Sequence, residues 1–117
     1  MKQYGEHVVI DHLDLQVRTG EVFAFLGRNG AGKTTTTEIL EGYRTRDGGQ
    51  VSVLGVDPAH GTAAWRARIG MVLQQSQPIP TLTVREILNL YSAYFPRTRP
   101  VDEVLELVGL TAKAHER

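Results

Sequence analysis

Gly27-Arg28-Asn29-Gly30-Ala31-Gly32-Lys33-Thr34 fits the pattern G-x-x-x-x-G-K-[ST], with both glycines, the lysine and the threonine in register. In this pattern the backbone N–H groups of a glycine-rich loop surround a chain of phosphates. The pattern places the charge of Lys33 on the β- and γ-phosphates and offers the hydroxyl of Thr34 to Mg²⁺. The alternative is a glycine-rich turn that merely links a strand to a helix, but such a turn requires no Lys-Thr pair at this spacing. We therefore predict a phosphate-binding loop, the Walker A motif.

The segments on either side of this loop have the order that phosphate binding requires. The apolar run 22–26 predicts a parallel strand that is buried on both faces. Residues 33–41 predict a helix that ends before Gly42. In the order strand, loop, helix, the loop N–H groups and the positive end of the helix dipole converge on one anion.

Four consecutive threonines, Thr34 to Thr37, open this helix although β-branched residues have poor helix propensity. We infer that the hydroxyl groups are used. The hydroxyl of Thr34 is explained by binding to the metal, and Thr35 lies where a second hydroxyl can reach an α-phosphate. For Thr36 and Thr37 we expect hydrogen bonds to backbone carbonyls or packing in the core.

Composition narrows the class of protein. Thirteen basic and thirteen acidic residues cancel, so no overall field favours nucleic acid or an anionic membrane surface. The chain of 117 residues has no cysteine, which excludes disulfides and thiolate metal sites and fits a reducing cytoplasmic setting. The longest apolar run has five residues, far fewer than the roughly 20 that cross a bilayer. We expect a protein that is soluble, or peripheral through a partner.

Patterning elsewhere predicts further strands of an α/β fold. Alternating residues 13–17 predict a strand with one solvated face, which Thr19-Gly20 joins to the run 22–26 as an antiparallel hairpin. Residues 51–53 predict another half-buried strand. The apolar run 69–73 predicts a second fully buried strand.

Capping signals predict three further helices. Residues 62–68 predict a short helix with Trp65 on its buried side. Thr83 and Glu86 form a capping box that opens a helix ended by Pro96. Pro100, in a first-turn position, and Gly109 frame the last helix. Its predicted core face consists of Val101, Val104, Leu105 and Val108.

Several spaced motifs together resemble the first half of an ABC-transporter ATP-binding domain, over the whole chain. Tyr4 stands 23 positions before Gly27, where that family has an aromatic ring that stacks on adenine. The four residues between the outer Walker A positions, Arg28-Asn29-Gly30-Ala31, are those usually found in this family. Residues 69–74 resemble the family's strand that leads into the Q-loop, and residues 82–86 resemble the start of its helical subdomain. Residues 38–44 and 53–58 look most like the drug- and antibiotic-exporting branch.

The resemblance implies an incomplete P-loop NTPase-type α/β fold: an antiparallel β subdomain, a P-loop strand and helix, a Q-loop strand and the start of a helical subdomain. On this interpretation residues 1–117 are the N-terminal part of a single ATP-binding domain. Residues 1–77 hold the β subdomain, P-loop and Q-loop, and residues 78–117 begin the helical subdomain.

The resemblance also implies roles for individual residues, with ATP and Mg²⁺ as cofactors. Lys33 and Gln74 assist catalysis, and Thr34 and Gln74 hold Mg²⁺. Two alternatives without a role in nucleotide binding stay open. Tyr4 can be a partly buried aromatic residue that only packs, and Gln74 can be an ordinary polar residue at the end of a strand. The implied nucleotide-binding residues are Tyr4, Gly27, Asn29, Gly30, Ala31, Gly32, Lys33, Thr34 and Thr35.

The resemblance implies a transmembrane permease and a second ATP-binding domain as partners, at the cytoplasmic face of the cell membrane, and no nucleic acid. The chain has no L-S-G-G-Q signature, no Walker B strand and no downstream switch histidine. We therefore expect an ATPase in the complete domain, and weak ATP binding without hydrolysis in these 117 residues alone. Two alternatives are a truncated non-hydrolytic module that binds a nucleotide or a partner, and another P-loop NTPase such as a GTPase. The GTPase alternative is disfavoured because no N-K-x-D motif is present.

Overall fold

A computed structural model describes residues 1–27, 32–73, 75, 77 and 79–117 of the chain. These residues divide into two compact units, 1–66 and 67–117. The first unit contains strands β1 (Lys2–Tyr4) and β2 (His7–Ile10), helices α1 (Lys33–Leu40) and α2 (Ala63–Arg66), and a 3₁₀ turn at Pro58–His60. The second contains α3 (Val84–Ser92), α4 (Val101–Leu107) and a 3₁₀ turn at Thr111–Lys113. In the described ranges, every helix is too short or too polar to pass through a lipid bilayer.

The strands β1 and β2 form an antiparallel hairpin at the start of the first unit. Tyr4 pairs with His7 and Gln3 pairs with Val8, and the register shifts between Lys2 and Gln3. The sequence patterns did not predict this hairpin, because residues 2–4 are mostly polar and the apolar run 8–10 is short and does not alternate with polar residues.

Hydrogen bonds from side chains and backbone connect strand β1 to the segment that follows α1. The Asp47 carboxylate accepts hydrogen bonds from the backbone N–H of Gln3 at 2.8 Å and from Lys2 Nζ at 3.1 Å. The terminal ammonium of Met1 donates to the Gly48 carbonyl at 2.9 Å. The bond from the Gln3 N–H, and then the bond from Lys2, lower the pKa of Asp47 below its ordinary value. The folded state therefore favours the ionised form of Asp47, which accepts the bonds that hold β1.

Helix α1 confirms the prediction for residues 33–41, with Glu41 as its C-cap and Gly42 at φ 77°. Thr36 is buried, and the Thr37 hydroxyl donates to the Lys33 carbonyl at 2.9 Å. These are the two uses expected of the later threonines. A Cβ at position 42 would lie 2.9 Å from the Pro58 carbonyl oxygen, so this helix end is also closely packed.

The core of the first unit includes Ile10, Ile39 and Trp65, the last only 4% exposed. The Trp65 indole N–H donates to the Val53 carbonyl at 2.9 Å, which satisfies its polar atom on burial. Helix α2 is shorter than the predicted 62–68, but Trp65 is on its buried side as expected.

The predicted strands at 13–17, 22–26, 51–53 and 69–73 are not formed, although every residue in these ranges is described. Val53 makes only an isolated bridge to Val56. Val22 and Val72 are 99% and 101% exposed. A strand requires a neighbour to complete its backbone hydrogen bonds, and these apolar runs have no paired neighbour in the described chain. The P-loop strand and the Q-loop strand of the sequence prediction are therefore corrected to segments without regular secondary structure.

In the second unit, the capping box of α3 is confirmed in both directions. The Thr83 hydroxyl accepts from the Glu86 N–H at 3.3 Å, and the Glu86 carboxylate accepts from the Thr83 N–H at 2.8 Å. The helix ends at Ser92, which is earlier than the predicted stop at Pro96. The Thr83 hydroxyl also donates to the Glu86 carboxylate at 3.0 Å. The bond from the Thr83 N–H, and then the one from its hydroxyl, lower the pKa of Glu86.

Helix α4 begins after Pro100, which is its N-cap and not a residue of its first turn. Leu105 is fully buried, as predicted, but Val108 is 57% exposed, so its place on the core face was wrong. Val108 already caps the helix, and its orientation no longer follows the helical period. Gly109 follows at φ 70° as expected.

The C-terminal segment packs on the start of α3. The Val84 N–H donates to the Glu116 carbonyl at 3.0 Å, and the Arg85 N–H donates to the Ala114 carbonyl at 2.9 Å. Ala114 is buried at 2% exposure. Two first-turn N–H groups of α3 thereby find acceptors far along the chain.

Candidate functional site

Gly32 fixes the start of α1 in a conformation that other residues rarely adopt. It is the N-cap of the helix at φ 84° and ψ 7°, in the left-handed region. A Cβ at this position would lie 2.8 Å from the Val9 carbonyl oxygen on β2. The Thr36 N–H donates to the Gly32 carbonyl at 2.8 Å and begins the helical hydrogen bonds. A glycine is therefore required here both by the backbone angle and by the close approach of β2.

Lys33 is the first residue of α1, and its ammonium group turns back to the other end of the loop. Its Nζ donates a hydrogen bond to the Gly27 carbonyl. The first turn of α1, described along its whole length, contains no acidic residue. A positive side chain and the positive end of a helix dipole thus lie together without a carboxylate from the same turn. This combination suits an anion.

The remaining predicted residues of the loop divide into those that the structure describes and those that it does not. Thr34 is exposed and Thr35 is half-buried, so the Thr34 side chain is open to solvent beside Lys33. The other predicted residues lie outside the described part, and their roles stay predictions: Asn29, Gly30, Ala31 and Gln74. The structure thus brings together Gly27 and Lys33 at the two ends of the predicted loop.

These observations test whether the residues fit a bound nucleoside triphosphate with Mg²⁺. Lys33 offers a cation beside Gly27 at the start of α1, and Thr34 offers an exposed hydroxyl oxygen. Hydroxyl oxygen is a ligand type that Mg²⁺ accepts when phosphates supply the others. The described residues therefore fit the group.

Tyr4, the predicted adenine-stacking residue, lies at the end of β1 with 43% of its surface exposed. Two cations flank its ring: Lys2 Nζ is 5.2 Å and Arg44 Cζ is 5.6 Å from the ring centroid. Both distances fall within the range of a cation–π contact. The ring is thus partly open to solvent and held by charged neighbours.

Arg44 is itself held by helix α1, because its Nε donates to the Glu38 carboxylate. This hydrogen bond is the first cause of a pKa of Arg44 above its ordinary value. The sequence analysis missed the contact between Arg44 and Tyr4. No local pattern signals it, since the two residues are far apart in the chain and only folding brings them together.

Arg46, two residues further on, makes a different ion pair. Its two terminal nitrogens donate to the two carboxylate oxygens of Asp57 at 2.8 and 2.7 Å. The same carboxylate accepts the Ala59 N–H at 3.0 Å. The bonds from Arg46, and then from Ala59, lower the pKa of Asp57 to about 2. Arg44 and Arg46 therefore anchor one segment to two different parts of the first unit.

The known proteins that the chain resembles are ATP-binding proteins of transport, export or resistance systems. The chain is 37% identical to the bacitracin transport ATP-binding protein BcrA of Bacillus licheniformis, over 93% of this chain and 36% of that protein. It is 42% identical to the Nod factor export ATP-binding protein I of Rhizobium etli, over 99% of this chain and 38% of that protein. It is 35% identical to the linearmycin resistance ATP-binding protein LnrL of Bacillus subtilis, over 99% and 39%. No solved structure matches with significance.

The chain thus spans little more than a third of the length of these relatives. Their names agree with the predicted likeness to drug- and antibiotic-exporting members. The family profile described as ABC transporter matches residues 10–117, which is most of the chain. The family's ATP-binding domain has the P-loop NTPase fold that the loop at 27–34 predicted. The chain therefore belongs to the ABC transporter family.

Proposed function

We propose that this chain binds ATP with Mg²⁺ through the loop at 27–34, as part of an ATPase that powers export across a membrane. Bound ATP and Mg²⁺ supply the phosphoanhydride bond and a divalent charge for phosphoryl transfer to water. Lys33 neutralises phosphate charge, and the Thr34 hydroxyl helps to hold the metal. Tyr4 presents its ring to the adenine base.

The observation that carries this proposal is the bond from Lys33 to Gly27 at the start of α1, where Gly32 packs against β2. The Val9 carbonyl lies where it would clash with a Cβ at position 32, so the N-terminus of α1 packs closely against β2. The Lys33 ammonium donates to the Gly27 carbonyl, and on binding ATP it would exchange this carbonyl for a phosphate oxygen. A charge-assisted hydrogen bond to phosphate is stronger than the bond to a neutral carbonyl that it replaces.

In the full-length protein we propose a transmembrane permease and a second ATP-binding domain as partners, at the cytoplasmic face of the membrane. The names of the relatives support an export role, since two of them are called transport or export ATP-binding proteins. Gln74 would assist in this site by contacting the metal or the attacking water. Hydrolysis of ATP would be the reaction of the complete domain.

The proposal predicts that Lys33→Ala weakens MgATP binding at least about tenfold, because a charged hydrogen-bond donor to the phosphates is lost. Isothermal titration calorimetry on the full-length protein measures the affinity. Lys113→Ala is the matched control, since Lys113 is an exposed lysine 3.8 Å from Glu116 in the other unit. Equal affinities for the wild type and Lys33→Ala would contradict the assignment of the loop.

A further inference from the structure

Arg44 connects the two ends of the proposed nucleotide site within the first unit. Its guanidinium carbon lies 5.6 Å from the centroid of the Tyr4 ring, and its Nε donates to Glu38. Glu38 belongs to α1, the helix that begins with Lys33. The residue proposed for the base and the residue proposed for the phosphates are thereby linked through one arginine.

The two cations beside Tyr4 differ in what holds them. Lys2 belongs to the same strand as Tyr4, and its ammonium is bound by Asp47 at 3.1 Å. Arg44 comes from outside the hairpin, and its carboxylate partner belongs to α1. Only Arg44 therefore ties the position of the Tyr4 ring to the phosphate-binding helix. An arginine suits this place because one face of its planar guanidinium can cover a ring while its edge donates to a carboxylate.

We propose that Arg44 is a positioning residue for base recognition: it holds the Tyr4 ring at the place where an adenine base stacks. This inference rests on the proposed function. A ring already held in one orientation loses less conformational entropy when a base stacks on it. The cation on the ring also favours that orientation by electrostatic attraction. Arg44 acts through Tyr4, so its effect should depend on the base and be absent for phosphates alone.

The test compares two ligands that share the phosphate chain, MgATP and magnesium tripolyphosphate, by calorimetry on the full-length protein. Arg44→Gln should weaken MgATP binding about two- to fivefold, the range of a partly exposed cation–π contact, and leave tripolyphosphate binding unchanged. Tyr4→Ala should remove most of the preference for MgATP. In the Tyr4→Ala background, Arg44→Gln should have no further effect.

Arg46→Gln is the matched control, because it also breaks an arginine–carboxylate pair of the same segment but has Asp57 as its partner. It should leave the ratio of the two affinities unchanged. The unchanged affinity for tripolyphosphate shows in the same experiment that the Arg44→Gln protein is folded.

Four results would overturn the inference while the proposed function stands. Arg44→Gln could weaken both ligands equally, which indicates a structural role only. It could leave MgATP binding unchanged, or strengthen it because Arg44 occupies the stacking face. If Tyr4→Ala and Arg44→Gln each weaken MgATP binding and their effects add in the double variant, Arg44 does not act through Tyr4. A Tyr4→Ala protein with unchanged preference for MgATP would instead contradict the proposed base site, and a wild type that binds neither ligand would contradict the proposed function.

Discussion

Asp57 is the residue whose ionisation is most strongly coupled to the fold in the described chain. Its pKa is lowered from 3.8 to about 2, first by the bonds from Arg46 and then by the Ala59 N–H. A depressed pKa means that the folded state prefers the carboxylate. The stabilisation is therefore fully present above pH 4 and is lost as the pH falls from about 4 toward 2.

We predict that Asp57→Asn lowers the urea midpoint of the first unit at pH 7, and that its difference from the wild type shrinks between pH 4 and pH 2. Asn keeps an acceptor for the Ala59 N–H but removes the charge that faces Arg46. Urea unfolding at a series of pH values measures the effect.

Asp11→Asn is the control for this series, because Asp11 also lies in the first unit and pairs with His12, but its side chain is 67% exposed. An exposed pair contributes little, so this variant should change the midpoint far less. A difference for Asp57→Asn that is constant from pH 7 to pH 2 would contradict the coupling.

Residue contacts of this kind could be predicted from sequence only where the partners are close in the chain. Thr83 and Glu86 are three positions apart, and their reciprocal bonds form as predicted. Arg44 and Tyr4 are brought together by the fold, and no spacing rule relates them. The same holds for Asp47, which anchors β1 through Gln3 and Lys2 from a distant part of the chain.

The end of α1 depends on Gly42 for two physical reasons that can be separated. Its φ of 77° disfavours any residue with a Cβ, and a Cβ there would lie 2.9 Å from the Pro58 carbonyl oxygen. Gly20 has nearly the same φ, 79°, but a Cβ there would have no atom within 4 Å. The two glycines thus share the backbone strain and differ in packing.

We predict that Gly42→Ala lowers the free energy of unfolding by more than Gly20→Ala does. The backbone term costs each variant about 1–3 kcal/mol. The excess for Gly42→Ala measures the displacement of the Pro58 carbonyl and the Trp65 ring, which lies 3.2 Å from the same Cβ. Urea unfolding of both variants gives the two values, and equal losses would show that packing at Gly42 is unimportant.

At the scale of elements, the described helices followed the sequence more closely than the strands did. Helix signals such as Gly42 and the box at 83–86 act within four residues, so local sequence is enough. A strand signal such as 22–26 shows that a segment is apolar but not which segment pairs with it. The described chain supplies a neighbour only to the short hairpin at 2–10.

The whole chain has a formal net charge of zero at pH 7 and exposes several large apolar side chains. Three of them are almost completely exposed: Val22 at 99%, Leu26 at 87% and Val72 at 101%. A molecule without net charge has little electrostatic repulsion between copies, and exposed apolar groups favour contact between them.

We predict that the 117-residue chain self-associates at neutral pH as its concentration rises, and that Val72→Lys reduces this association. Sedimentation velocity over a range of concentrations measures the species present. Thr81→Lys is the control, because it adds the same charge at an exposed polar residue. An equal reduction by both variants would assign the effect to charge alone, and a wild type that is monomeric throughout would contradict the prediction.

Trp65, buried beneath Gly42 and Gly61 with its indole bonded to Val53, is the single tryptophan of the chain. Its fluorescence consequently originates only from the unit at 1–66, whereas far-ultraviolet circular dichroism records the helices of both units. Exposure of the indole to water on unfolding should shift its emission to longer wavelength. If the two spectroscopic transitions separate, the units unfold independently; if they coincide, one cooperative transition includes both.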